Sequence, residues 1–385
     1  MINSTIKSLN SDQSVSLLLN ELKTVNGHFL LVADENWDSV NWADILNYSS
    51  CNVSIISNRY DIAKKAKAAS ISTYFNDLDF SGFKPKSFDG VFFRVSKERA
   101  NTHHVINQSA YLLKSGAALM LSGEKNDGIK SYVKKASMLF NTSSIPTKFG
   151  NQYLAKISVS VPNDFKKLDD SNYSSMQAVK ALSKYGLASK PGVFGWNKID
   201  RGSAFFVDHL PILMSSFKHS PRTLLDLGCG YGFLCYQAKS FDIKNITATD
   251  NNAAALIAVK ANFKNSEQRV EIVASNVGDV ITKNFDTIWC NPPFHKGFLV
   301  NSDLTSRFLE ATCRLLASDG HAFYVVNSFI SLEKKAHGLF KSIQLVADNG
   351  SFKVIALRNE QQKEKKEKTT EKKKESTTRL SRNAG

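Results

Sequence analysis

The chain has no CxxC pair. Its five cysteines, an odd number scattered through apolar segments, provide neither a disulfide framework nor zinc-ligand spacing, so no metal site is expected and a reducing cytoplasm fits best. Long hydrophobic runs are also missing: none approaches the roughly 20 residues that span a bilayer, and the first 13 residues are polar, so export and membrane insertion are not expected. Acidic residues are the minority sign, 35 against 50 Lys plus Arg. The last 27 residues (359–385) hold nine basic and five acidic residues, which leaves 41 against 30 in the body. The body is therefore basic in its own right, which suits a polyanionic partner, nucleic acid before membrane.

What is present is an alternation of apolar runs and amphipathic stretches over 385 residues, enough for two cores. In the second half, strands are expected at 222–227, 245–249, 270–274, 285–290 and 321–327. Helices are expected to start at 232 and to span 253–262 and 304–316. In the first half, 27–33, 52–57, 88–95 and 117–123 read as strands, and 61–69 and 106–113 as helices. The parallel reaches detail: Ser87-Phe-Asp-Gly-Val-Phe-Phe93 resembles Asn284-Phe-Asp-Thr-Ile-Trp-Cys290, and the stretches 113–119 and 316–322 also correspond. The expected architecture is α/β, two tandem Rossmann-like domains that arose by duplication, each with a parallel sheet covered on both faces. The domains are placed at 1–165 and 191–358, with a linker at 166–190 containing one helical stretch (175–185), and a disordered Lys/Glu-rich tail at 359–385.

In the second half, Leu224-Leu-Asp-Leu-Gly-Cys-Gly-Tyr-Gly232 runs from a strand into glycines at 228, 230 and 232. This is GxGxG rather than the dinucleotide spacing, and no cationic residue follows for phosphate. Asp226 would orient the loop or meet a cationic amino group, while Gly228, Gly230 and Gly232 let the backbone approach an amino-acid moiety. Asp250 ends the next strand, placed for two ribose hydroxyls, with helix capping as the plainer role. Asn276 sits where an adenine edge would lie. The corresponding first-half stretch, Ala33-Asp-Glu-Asn-Trp37, has no glycine.

Asn291-Pro-Pro-Phe-His295 follows a strand directly. Two prolines stiffen the turn and leave its carbonyls free. A planar amine donating to the Asn291 side chain and the Pro292 carbonyl would have its nitrogen lone pair held toward a nearby methyl donor, with Phe294 stacked on its ring. His295 is the nearest proton acceptor, or merely shapes the turn. The matching first-half slot holds Arg94-Val-Ser-Lys97.

These residues resemble S-adenosylmethionine-dependent methyltransferases of the Rossmann-like class. With 191–194, Asp200-Arg-Gly-Ser203, 274–277 and 350–354, the chain is similar over almost its whole length to the ribosomal RNA small subunit methyltransferase C family. That resemblance implies a degenerate first domain used for RNA binding and support, and a catalytic second domain using S-adenosylmethionine. The expected acceptor is the N2 amine of a specific guanine in 16S rRNA, with the 30S subunit as the expected form of the substrate. Phe194, Lys198, Asp200 and Gly202 would form a lid over donor and substrate; for Asp200, a helix N-cap has equal weight. Lys97 and Arg99, with Lys130, Lys134 and Lys135, are candidate RNA contacts, a solvated surface charge being the plainer role of each singly, and the protein is expected to act as a cytoplasmic monomer. Rival acceptors are a large-subunit rRNA guanine or another amine; the rival without chemistry is an RNA-binding ribosome assembly factor.

Overall fold

The computed structural model describes residues 12–48, 51–160, 165–293, 295–296, 299–300 and 302–359. Phe294, the side chain of His295 and the tail from residue 360 onward lie outside the described residues.

The first half opens on α1 (Gln13–Leu22), capped by Asp12, whose carboxylate accepts the Val15 N–H at 3.0 Å. There follow β1 (Gly27–Ala33), α2 (Trp42–Ile45), β2 (Cys51–Ser57), α3 (Tyr60–Ala68), β3 (Ser72–Phe75) and β4 (Phe88–Arg94). Then come α4 (Arg99–Leu112), β5 (Leu113–Glu124), α5 (Ile129–Leu139), β6 (Thr147–Phe149) and β7 (Gln152–Ser158). The sheet order is β3-β2-β1-β4-β5-β7-β6. The first five strands are parallel; β7 runs antiparallel to both neighbours.

The linker differs from the helical stretch expected there. It holds a hairpin of β8 (Gln177–Ala178) and β9 (Ala188–Ser189) around a 3-10 turn at Lys180–Tyr185.

The second half consists of α6 (Arg201–Met214), β10 (Thr223–Leu227), α7 (Phe233–Tyr236), β11 (Asn245–Asp250), α8 (Ala253–Asn262), β12 (Arg269–Ala274) and β13 (Phe285–Cys290). A small hairpin of β14 (His295–Lys296) and β15 (Leu299–Val300) precedes α9 (Ser302–Leu315), β16 (Leu316–Asn327), α10 (Leu332–Ala336), β17 (Ser342–Asp348) and β18 (Phe352–Arg358). Its order, β12-β11-β10-β13-β16-β18-β17, repeats that of the first half strand for strand. The antiparallel pair at the edge recurs as well, so each sheet is mixed rather than purely parallel.

The repeated Phe-Asp pair has a physical cause. Phe88 and Phe285 are buried under their sheets. Asp89 accepts the N–H of His28 at 2.9 Å, and Asp286 accepts those of Arg222 and Thr223 at 2.8 and 3.0 Å, so each carboxylate pins the start of the neighbouring first strand. Both halves also carry a register shift at the same place, between Phe88 and Gly90 and between Phe285 and Thr287. Each sheet buries an apolar layer on both faces. Among the described residues no helix is long and apolar enough to cross a membrane.

The halves are joined by buried polar contacts. Lys190 of the linker is 1% exposed, donates to Asp77 of the first half and lies 4.4 Å from the Tyr173 ring centroid. The Gly192 N–H donates to Glu98 at 2.7 Å, and its carbonyl accepts from Asn252 at 2.6 Å, so both halves grip the segment leading into α6.

Candidate active site

All three glycines after β10 are left-handed, with φ of +85°, +55° and +89° at Gly228, Gly230 and Gly232. Each therefore needs glycine for its backbone, but their surroundings differ. A Cβ on Gly232 would stand 3.0 Å from Phe263 and 3.3 Å from Val259, so this glycine lets the loop close against α8. A Cβ on Gly230 would meet nothing within 4 Å: the loop there borders open space. The Gly228 and Cys229 N–H groups both donate to the Thr249 carbonyl, at 2.9 and 3.0 Å.

Asp226 is 1% exposed and accepts the Cys235 N–H at 2.9 Å through Oδ2. Its Oδ1 is buried with no partner among the described residues. Burial, partly offset by Cys235, pushes its carboxyl up from 3.8 to about 7. An orphaned carboxylate oxygen buried two residues before the glycine loop fits the cationic amino group of an amino-acid moiety.

Asp250 closes the other side. Its two oxygens accept the N–H groups of Gly230 (3.0 Å) and Asn252 (2.9 Å). Burial raises its pKa, while Arg59 of the first half pulls it down. Capping of α8 falls to Asn252, which accepts the Ala254 N–H at 3.0 Å, so Asp250 is not the cap. Each of its oxygens keeps a lone pair for a diol. Asn276 is half-buried, and its N–H is held by Asp279 at 2.9 Å. Beside it, Val277 has φ +57°, a conformation β-branched residues rarely adopt, in a turn fastened by Ser275, whose Oγ accepts the Gly278 N–H at 2.9 Å.

Asn291 leaves β13 half-buried, followed by buried Pro292 and exposed Pro293. Its Nδ2 donates to Asp200 Oδ2 at 2.9 Å and to Ser203 Oγ at 2.8 Å. Asp200 also caps α6 through the Ser203 N–H at 2.8 Å. Both the cap and a site contact thus belong to Asp200, and the contact is with Asn291. Ser203 was not singled out by the sequence; its position three residues after a capping Asp was the available signal. The segment leading into α6 is fastened to the glycine loop by Tyr231, whose hydroxyl donates to the Lys198 carbonyl at 3.1 Å. Phe194 on this segment is 84% exposed. Lys97 and Arg99 flank Glu98, the residue holding Gly192, which sets them at the junction of the halves. Lys97 stands 3.8 Å from Asp127, and Arg99, largely exposed, pairs with Asp169 at 3.1 Å. Lys135 bonds His103 at 3.2 Å, whereas Lys130 and Lys134 are exposed on α5.

The first half has lost this arrangement. Phe29 faces Gly90 as Leu224 faces Thr287, so Arg94 stands where Asn291 stands. Arg94 is buried and pairs with Asp12 (3.2 Å) and Asp127 (2.9 Å), while Arg59 pairs with Glu35 at 2.8 Å beyond the end of β1. Ion pairs occupy the end of the sheet that is open in the second half.

Residues 184–356 match the Methyltransferase small domain and residues 15–148 match its N-terminal counterpart. The ribosomal RNA small subunit methyltransferase C of Psychromonas ingrahamii is 25% identical over 305 residues, which cover 77% of this chain and 83% of the relative. That of Erwinia tasmaniensis is 33% identical over 175 residues, 45% of this chain and 49% of the relative. A T. thermophilus 16S rRNA N2 methyltransferase, solved in complex with AdoMet and guanosine, has the same fold: TM-score 0.75 at 22% identity, over 90% of this chain and 92% of that one.

Proposed function

As this chain belongs to the ribosomal RNA small subunit methyltransferase C family, we propose that it transfers a methyl group from S-adenosylmethionine to the N2 amine of a guanine in 16S rRNA. The observation that carries this reading is the turn at Asn291: both amide hydrogens are engaged by Asp200 and Ser203, which leaves Oδ1 to accept from a substrate amine. When bound, S-adenosylmethionine supplies a methyl carbon made electrophilic by its sulfonium. Asp226 would hold the amino group, Gly228 and Gly230 the methionine backbone, Asp250 the ribose hydroxyls and Asn276 the adenine edge.

The chain's own work is alignment. Asn291 Oδ1 and the Pro292 carbonyl take the two N2 hydrogens and point the lone pair at the methyl carbon, while Phe294 and Phe194 supply aromatic surface for an extruded base. Such positioning can contribute about 7–11 kcal/mol to lowering the barrier, against about 1–3 kcal/mol for any single hydrogen bond, so orientation outweighs a general base. As the N–C bond forms and the methyl's bond to the sulfonium sulfur breaks, N2 becomes acidic and gives up a proton, for which His295 is the candidate acceptor. Lys97 and Arg99, at the domain junction beside the Gly192 segment, are proposed phosphate contacts. The protein would act as a monomer in the cytoplasm, on rRNA alone or in the small subunit.

Incubation with methyl-labelled S-adenosylmethionine and small subunits lacking the modification tests this. Label is expected at a single guanine N2 by mass spectrometry, and Asn291→Ala is expected to lose about 100-fold or more in rate with donor binding retained. Label on the large subunit would move the acceptor, and no transfer to naked rRNA, subunits or assembly intermediates would sink the enzymatic reading.

A further inference from the structure

A primary amide can present either end to a substrate. Its two orientations have nearly the same shape, and only the oxygen end serves an amine. In this chain the choice is made by α6. Asp200 Oδ2 and Ser203 Oγ take both hydrogens of Asn291 Nδ2, at 2.9 and 2.8 Å. A flipped amide would set its oxygen against the Asp200 carboxylate, two acceptors with no proton between them. We propose that Asp200 and Ser203 are positioning residues that lock Asn291 in the orientation that accepts from an amine, and so make the turn selective for a hydrogen-donating nucleophile.

The lock is built into the helix start. Asp200 Oδ2 is itself anchored by the Ser203 N–H at 2.8 Å, so one charged oxygen serves the helix cap and the amide together. Ser203 is 8% exposed, which keeps water from competing for its hydroxyl. Gly202 provides the room: a Cβ there would lie 3.0 Å from the Phe352 ring and 3.1 Å from Asp200 Oδ2. β18, which carries Phe352, thereby supports the orientation of a residue two strands away in the sheet.

This inference rests on the proposed methyl transfer, and the experiment separates the two. Single-turnover rates are measured with methyl-labelled S-adenosylmethionine and unmodified small subunits, with donor affinity followed by calorimetry. Asp200→Ser keeps a capping oxygen for the Ser203 N–H but is too short to reach Asn291. Its rate is expected to fall about 10- to 100-fold, the kinetic equivalent of one hydrogen bond to a charged group, with donor affinity unchanged. Asn291→Asp sets carboxylate against carboxylate and is expected to be inactive. Adding Asp200→Asn to it removes the opposing charge, keeps an amide oxygen for the Ser203 N–H and leaves the Ser203 hydroxyl to donate to the new carboxylate, and is expected to recover about tenfold or more, a rescue that a purely structural role for Asp200 would not produce. A wild-type rate in Asp200→Ser overturns the proposal. Should Asp200→Ser not fold, the double variant decides: recovery supports the lock and no recovery overturns it. Inactive wild-type protein overturns the methyl-transfer reading instead.

Discussion

Arg59 and Asn252 form an antiparallel bridge between the two halves, each standing two residues beyond the second strand of its own sheet. On either side the Tyr60 N–H donates to the Asn251 carbonyl at 2.9 Å and the Ala253 N–H to the Asn58 carbonyl at 3.0 Å. Asn58 and Asn251 hold equivalent places in the duplicated fold, as do Tyr60 and Ala253. The contact is therefore locally twofold, the pattern of an isologous dimer kept within one chain. It also lies next to Asp250, whose carboxyl feels the Arg59 charge. Docking of the halves and shaping of the proposed donor site around Asp250 thus share one backbone turn.

Asn251→Ala tests that link. Its side chain accepts the Asp61 N–H at 3.0 Å and donates to the Asp61 carboxylate at 2.9 Å, both across the junction. Losing the pair is expected to cost about 1–3 kcal/mol of docking. Scanning calorimetry is expected to resolve the unfolding into two transitions, and titration to show weaker donor binding. A single unchanged transition would refute the coupling.

The glycines make a paired prediction. Gly230→Ala places a methyl in the open space of the loop and is expected to weaken donor binding with a small loss of melting temperature. Gly232→Ala drives a Cβ toward Phe263 and Val259 and is expected to lower stability by about 1–3 kcal/mol. Equal stability losses in the two would show that Gly230 serves only the backbone.

Asp226 gives a pH dependence whose sign follows from its raised pKa. Between its ordinary value of 3.8 and about 7 the native protein holds a proton that the unfolded chain has lost. Its contribution to stability is complete below the lower value and declines as pH rises to the upper one. Affinity for a cationic ligand should move the opposite way, rising as the carboxyl ionises through the same window. Donor titrations from pH 5.5 to 7.5 are expected to show tightening that Asp226→Asn abolishes; a flat wild-type profile would remove Asp226 from the amino-group site.

The buried pair of Lys190 and Asp77 allows a fourth test. Lys190→Met leaves Asp77 buried without its cation and is expected to destabilise by about 3–5 kcal/mol in denaturant unfolding. Asp77→Asn added to it removes the stranded charge and keeps a partner for the Tyr173 hydroxyl, which donates to Asp77 at 2.8 Å. Most of the loss should return. Failure to recover would assign the effect to the Lys190 stem packed on Tyr173.

The duplication was legible because its signals are local. Phe-Asp at 88–89 and 285–286 combines a buried ring with a carboxylate that caps a neighbouring strand, and such a pair survives divergence on both sides. β1, β13 and α8 match their expected bounds because each is flanked by a residue that stops or starts an element: Asp34 after β1, Pro292 after β13 and the capping Asn252 before α8. The edge pairs β6–β7 and β17–β18 escaped notice: β6 is exposed throughout, β17 is half-exposed, and neither shows the alternation of a strand with one buried face. Of the site, Asp226, the glycines, Asp250 and Asn291 stand at strand ends, where a motif and its place in the fold coincide. Ser203 had only its place three residues after the capping Asp200 to mark it, and Arg59 acts across a long sequence separation that no local pattern marks.

The ion pairs at the first half's sheet end carry an evolutionary consequence. Arg94 is held by Asp127, itself 1% exposed on its side chain, and by Asp12. Opening a cleft there requires replacing Arg94, and that step alone leaves buried Asp127 with Lys97, 3.8 Å away, as its remaining cation, at a cost of about 1–3 kcal/mol. Selection for folding alone therefore holds Arg94 in place, and with it the closed end of the first domain's sheet.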